Sequence, residues 1–248
     1  MNSINWFELA LLPPNHFYDM ADGVTPFPAL LRTAHASHCK RCLHGLPGSQ
    51  TELDASRYDF ALLEPNDSKL RFIISQRLGV VFYCLGAMDL LGQLQDQPDN
   101  DREMWRQWVW EQHISGESGS GFKPSPFMTP QHPPDEKVQS TKYDSPHLIM
   151  SYTALLTLAM LRDDFSNLDR PGLVKFLKSC QKEDGSFSTV PGDGESDLRT
   201  LYCAFAISSM VNDWSGIDVD RALTWVASCR TYEGGYGQAS FCEAHGEK

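Results

Sequence analysis

The sequence predicts an all-α protein built from repeated helical pairs, each an inner helix followed by an outer one. Three observations predict it. The second half repeats: Tyr202 follows Tyr152 by 50 residues, while Cys229 follows Cys180 and Tyr236 follows Phe187 by 49. A period of that size marks one supersecondary unit that buries its core against the next. The two helices of each unit also differ in character. "SYTALLTLAM" (151–160) and "LYCAFAISSM" (201–210) are apolar almost all round, as a buried helix is. "GLVKFLKSC" and "RALTWVASC" are amphipathic, with Leu173, Phe176 and Leu177 at helical spacing in one and Leu223, Val226 and Ala227 in the other. Lastly, each outer helix runs into a Gly-containing loop, "EDGSF" or "EGGY". Repeated around an axis, such units form two concentric rings of helices.

The elements follow in order. Residues 1–30 read as an N-terminal extension outside the domain. Leu31 to Leu46 reads as a helix closed by Pro47-Gly48. "LGVVFYCLGAMDLLGQL" (78–94) reads as a buried helix, and Glu103 to Gln112 as a Trp-rich one. Residues 115–146 are dense in Gly, Ser and Pro and are expected to form a long exposed loop. The repeat then resumes. Asp163-Asp164-Phe165-Ser166 and Asn212-Asp213-Trp214-Ser215-Gly216 carry capping types and join inner to outer helices. Pro171 suits the first turn of an outer helix.

Composition narrows the function classes. The chain has 248 residues, is 41% hydrophobic and carries a net charge of −11. That balance disfavours wrapping nucleic acid or anionic lipid. The longest apolar stretch, 147–161, is short for a bilayer and is interrupted by Ser, Thr and Tyr. An odd cysteine count, seven, and a start without a basic leader favour a reducing, cytoplasmic compartment.

Three stretches hold chemistry-bearing residues. "HASHCKRCLH" places His35, His38, Cys39 and Cys42 on one helix face. Cys/His pairs bind zinc, but no second cluster at finger spacing accompanies them, so a packed face is the reading adopted. "GDGESDLR" sets Glu195, Asp197 and Arg199 at the mouth of an inner helix, where an acid caps the N-terminus and meets the positive end of the dipole. "EGGYGQASFCEAHG" brings His245 to the corresponding junction one unit later, where backbone N–H groups can hold an anion such as a diphosphate.

The run from "CQKEDGSF" to "FCEAHG" resembles the β-subunit of protein prenyltransferases. "NDWSGIDVDRA" and "YDSPHLIMSYTAL" are similar to the type I geranylgeranyltransferase rather than the farnesyl or Rab enzymes. The resemblance implies an α/α toroid over 31–248, with an atypical insert at 58–77. It also implies a helical α-subunit as partner, geranylgeranyl diphosphate as lipid donor and zinc as cofactor. The acceptor would be the Cys of a C-terminal CaaX motif, as in small GTPases. By the same resemblance His245 and Gly246 match the diphosphate-binding stretch. Arg199 and Tyr202 match the isoprenoid tunnel and its peptide neighbour, and His147 and Ile149 the path of the peptide tail. Gly79, with Tyr83 nearby, falls at the tunnel floor, where a small residue leaves room for the longer lipid. The zinc ligands and most diphosphate-binding cations of the family come after the position of Lys248. The chain is therefore expected to be a β-subunit incomplete at its C-terminus, with no catalytic or metal residue of its own and inactive alone. The alternatives are a shortened, non-catalytic form that binds the α-subunit, or a farnesyl- or Rab-type β-subunit.

Overall fold

The computed structural model describes residues 30–44, 77–124 and 145–244. Its helices are α1 (Arg32–His44), α2 (Arg77–Leu90), α3 (Asp99–Trp110), α4 (Leu148–Met160), α5 (Arg170–Cys180), α6 (Leu198–Val211) and α7 (Val219–Ser228). Two antiparallel hairpins accompany them, β1 (His113–Gly116) with β2 (Gly119–Phe122) and β3 (Ser188–Val190) with β4 (Asp193–Ser196). The expected extension at 1–30 (apart from Leu30) and the expected insert at 58–77 (apart from Arg77, which opens α2) lie outside the described residues. The chain divides into two compact units: residues 1–110 with 156–164, and residues 111–155 with 165–248.

In the first unit α1 packs against α2. Ala36 and Leu43 of α1 and Leu78, Val81, Leu85 and Met88 of α2 are buried. Lys40 Nζ ties α1 to Asp101 Oδ2 at 2.6 Å and to Gln97 Oε1 at 3.0 Å. The carbonyls at the end of α4 have no helical partner, and side chains supply one. Gln95 Nε2 donates to Met160 O at 3.0 Å, and Arg106 Nη2 to Leu161 O at 2.8 Å. The helix expected over 78–94 stops at Leu90 because Gly92, at φ 67°, turns the chain left-handed. Gly92 N then donates to Asp89 O and Gln93 N to Met88 O, a Schellman closure. Arg162 (φ 59°) closes α4 and Asn212 (φ 53°) closes α6 with the same pair of bonds. The turns read as inner-to-outer connections are thus one repeated device.

In the second unit the first hairpin corrects the expected exposed loop over 115–122; residues 125–144 of that loop lie outside the described residues. All four residues of β2 are buried, and Phe122 is fully so. Gly119 takes φ 117°, and a Cβ there would stand 2.3 Å from Gly172 O and 2.4 Å from Phe176 N. Only glycine lets β2 lie against the backbone of α5. Ser179 Oγ donates to Ser118 O at 3.2 Å and Ser120 Oγ to Asp169 O at 3.1 Å, which fixes the hairpin. Asp169 caps α5 by accepting from Gly172 N, with Pro171 in the first turn as expected. Asp218 caps α7 through Arg221 N.

Leu173, Phe176 and Leu177 of α5 are buried, as their spacing implies. The stripe expected on α7 is corrected. Ala222, Trp225 and Cys229 are buried, whereas Leu223 is 54% exposed and Ala227 faces solvent. The indole brings more apolar area than either Leu223 or Ala227, so the helix turns that edge inward. The loops after α5 and α7 repeat as well: Gln181 bridges to Phe187, and Arg230 to Tyr236. Finally, the side-chain amide of Gln181 joins the end of α5 to the start of α7. Nε2 donates to Asp218 O at 2.9 Å, and Oε1 accepts from Asp218 N at 2.8 Å.

Candidate functional site

The second unit gathers Arg199, Tyr202 and Tyr152, with Asp197 beneath them. Asp197 is the N-cap of α6. Its Oδ1 accepts from Arg199 N at 2.8 Å and Thr200 N at 3.2 Å, while its own N–H donates to Thr200 Oγ1 at 3.1 Å. This capping box aims α6. Thr200 Oγ1 also donates to Phe187 O at 2.6 Å, and Leu198 N to Gln238 O at 2.9 Å, so both Gly-containing loops hold the same helix start. The guanidinium of Arg199 folds back on Asp197 Oδ2, Nε at 2.8 Å and Nη2 at 2.5 Å, with Glu195 at 3.5 Å. Burial works to raise the Asp197 pKa, but the bonds from Arg199 and Thr200 outweigh it and hold it below the usual carboxylate range. Hydrogen bonding to Asp197 in turn raises that of Arg199. The acidic pair of the loop is therefore a cap and an arginine anchor.

One turn on, Tyr202 leaves α6 and meets Tyr152 of α4 edge to face, with ring centroids 5.6 Å apart and planes at 76°. Tyr152 Oη donates to Tyr202 Oη at 3.4 Å. Burial first, then the Tyr202 hydroxyl, pushes the Tyr152 pKa above its ordinary value. Tyr202 remains 59% exposed, so the pair offers an aromatic wall with a hydroxyl edge. Cys203 is buried behind it, and burial pushes its thiol up to about 12. That thiol is inert.

His147 and Ile149 stand at the start of α4, both half-buried. His147 N donates to Phe122 O at 3.0 Å, and its Nδ1 accepts from Met150 N at 3.5 Å, a capping geometry. Burial pushes the His147 pKa down to about 4, so the ring is neutral at physiological pH. Within the first unit, Gly79 is buried on α2 and Tyr83 is 74% exposed. His245 and Gly246 lie outside the described residues. Tyr152 was not among the residues selected from sequence, although its offset of 50 from Tyr202 is the signal that pairs them. Among the described residues no group of three or more His, Cys, Asp or Glu side chains is arranged to hold a metal ion.

Helical pairs linked by Gly-containing hairpins, with aromatic side chains lining a helix start, define a repeat-built helical domain. The model of the prenyltransferase alpha-alpha toroid domain matches residues 30–63 and 58–248. The chain belongs to that family. It is 31% identical over 187 residues to the geranylgeranyl transferase type-1 subunit beta of Dictyostelium discoideum, covering 70% of this chain and 53% of that protein. The Arabidopsis thaliana subunit of the same name is 31% identical over 176 residues, covering 68% and 46%. The protein farnesyltransferase subunit beta of Schizosaccharomyces pombe is 30% identical over 198 residues, covering 77% and 44%. The solved Candida albicans protein geranylgeranyltransferase-I complexed with GGPP superposes with a TM-score of 0.68 at 22% identity, over 88% of this chain and 56% of that one. The fold is the α/α toroid fold. The chain spans about half the length of the curated relatives it matches. No helix among the described residues is long and apolar enough to cross a membrane.

Proposed function

We propose that the chain is part of a protein geranylgeranyltransferase type I β-subunit, which passes a geranylgeranyl group from its diphosphate to the Cys of a CaaX motif. Its similarity to type-1 β-subunits over about seven-tenths of its length carries the reading. In this reading Tyr152 and Tyr202 present ring edges and faces to the isoprenoid and its peptide neighbour. Arg199, held by Asp197, lines the same tunnel beside the peptide. Neutral His147 and Ile149 line the peptide path, Gly79 and Tyr83 form the tunnel floor, and His245 with Gly246 meets the diphosphate. The partner is a prenyltransferase α-subunit and the site of action is the cytoplasm. In the family, zinc would hold the acceptor Cys as its thiolate. The residues named above act by binding and orientation.

The farnesyltransferase match keeps a second lipid in view. The test is thiol prenylation of a CaaL peptide with an α-subunit, zinc and either diphosphate. It compares the 248 residues with a version extended through the uncovered half of a relative. Transfer of geranylgeranyl in the extended form alone is the expected result, because the resemblance places the metal ligands in that uncovered half. Tyr202→Ala in the extended form is expected to raise the KM for the lipid about tenfold, as loss of one stacked aromatic does. Transfer restricted to farnesyl would replace the type I reading. Turnover with stoichiometric zinc in the short form would remove the expectation of inactivity.

A further inference from the structure

Within the second unit, α4 and α6 start from the same kind of contact. Ser151 of α4 and Thr200 of α6 stand 49 residues apart, buried at 0% and 1% exposure. Each hydroxyl reaches the backbone of a fully buried phenylalanine in the segment before its helix. Ser151 Oγ accepts from Phe122 N at 2.9 Å, and Thr200 Oγ1 donates to Phe187 O at 2.6 Å. The approach at α4 is close: a Cβ on Gly121 would stand 2.6 Å from Ser151 Oγ. A tyrosine follows each hydroxyl, Tyr152 directly and Tyr202 two residues on.

Resting on the transferase reading, we propose that Ser151 and Thr200 are positioning residues for its lipid: their hydroxyls pin the starts of α4 and α6 and thereby set Tyr152 against Tyr202. The two rings, one on each helix, have centroids 5.6 Å apart and planes at 76°. Tyr202 is 59% exposed, so few neighbours confine its ring, and its place follows from the backbone that carries it. The bonds of the Asp197 cap join α6 only to itself, whereas the Thr200 hydroxyl joins it to the loop after α5. Leu198 N, bonded to Gln238 O, holds the same start from the other loop, so loss of the Thr200 bond shifts the helix start rather than freeing it.

Removing either hydroxyl takes a buried bond from Phe122 N–H or Phe187 C=O. A buried backbone group that loses its partner costs free energy, and a small shift of the helix start that admits water relieves it. The tyrosine beside it moves with the helix. Apolar contact with the lipid is made equally before and during transfer, so its loss raises KM and leaves kcat.

The test uses the extended form with an α-subunit, zinc and a CaaL peptide. Thr200→Val keeps the shape and removes the donor, and Ser151→Ala removes the acceptor. Each is expected to raise the KM for the lipid diphosphate about fivefold with kcat held within about twofold, and Thr200→Ser to restore the wild-type KM. A role in stability alone would lower the apparent kcat through unfolded molecules and leave KM where it was; that result overturns the proposal, as does an unchanged KM in both variants. In parallel, nuclear Overhauser contacts between the Tyr152 and Tyr202 rings in the 248-residue chain are expected to weaken in both variants while the spectrum stays dispersed. If the extended wild type transfers neither lipid, the transferase reading falls and the ring contact alone decides: weakened, it supports the positioning role, and kept in both variants, it removes it. If Thr200→Val does not fold, Ser151→Ala decides by the same measures.

Discussion

Asp197 shows how one carboxylate serves both the helix and the site. It caps α6, satisfies the N–H of Arg199 and Thr200, and holds the Arg199 guanidinium. Because its folded pKa is depressed, its contribution is present above the unfolded value of 3.8 and is lost as pH falls through the lower folded value. Asn caps nearly as well as Asp but carries no charge. Asp197→Asn is therefore expected to cost about 1 kcal/mol near neutral pH, a modest figure because Arg199 is 60% exposed. The difference is expected to vanish in strong acid. Paired thermal melts between neutrality and strong acid check this, and a gap that persists at the acid end would contradict it. The cap was legible in "ESDLR"; the aromatic partner of Tyr202 was legible only through the repeat. His245, the residue read as the anion contact, lies outside the described residues.

The register of α7 separates what a helical pattern shows from what packing decides. Apolar residues stand at 222, 223, 225, 226 and 227, so periodicity alone permits two stripes. Ala222, Trp225 and Cys229 each follow Leu173, Phe176 and Cys180 by 49 residues, and those are the buried ones. An offset of 50, apt for the inner helices, selects the wrong face by one residue. Trp225→Ala is expected to destabilise by about 3–5 kcal/mol, and Leu223→Ala by about 0.5 kcal/mol or less. Urea denaturation of the two variants decides between the stripes. The β1–β2 hairpin was not legible for a different reason. "SGESGSG" has a loop's composition, and its burial comes from the bare backbone of Gly119 lying on α5.

At the scale of the molecule, the repeat was the most readable feature, because buried inner helices and amphipathic outer ones leave distinct patterns. The shared left-handed closures at Gly92, Arg162 and Asn212 were not, since only the first is a glycine. Successive outer helices are joined by Gln181, whose side-chain amide pairs with the Asp218 backbone as a peptide group in a strand would. Such a joint carries nearest-neighbour coupling of the kind that makes repeat arrays open in blocks rather than as one body. Gln181→Met keeps the bulk and removes both bonds. Amide protons of α7 are then expected to exchange about tenfold faster, with those of α5 unchanged. Equal acceleration in both helices would mean general destabilisation instead. If the joint behaves so, a single glutamine sets where this chain comes apart first, and spontaneous deamidation there would age the molecule at its seam while leaving each helix whole.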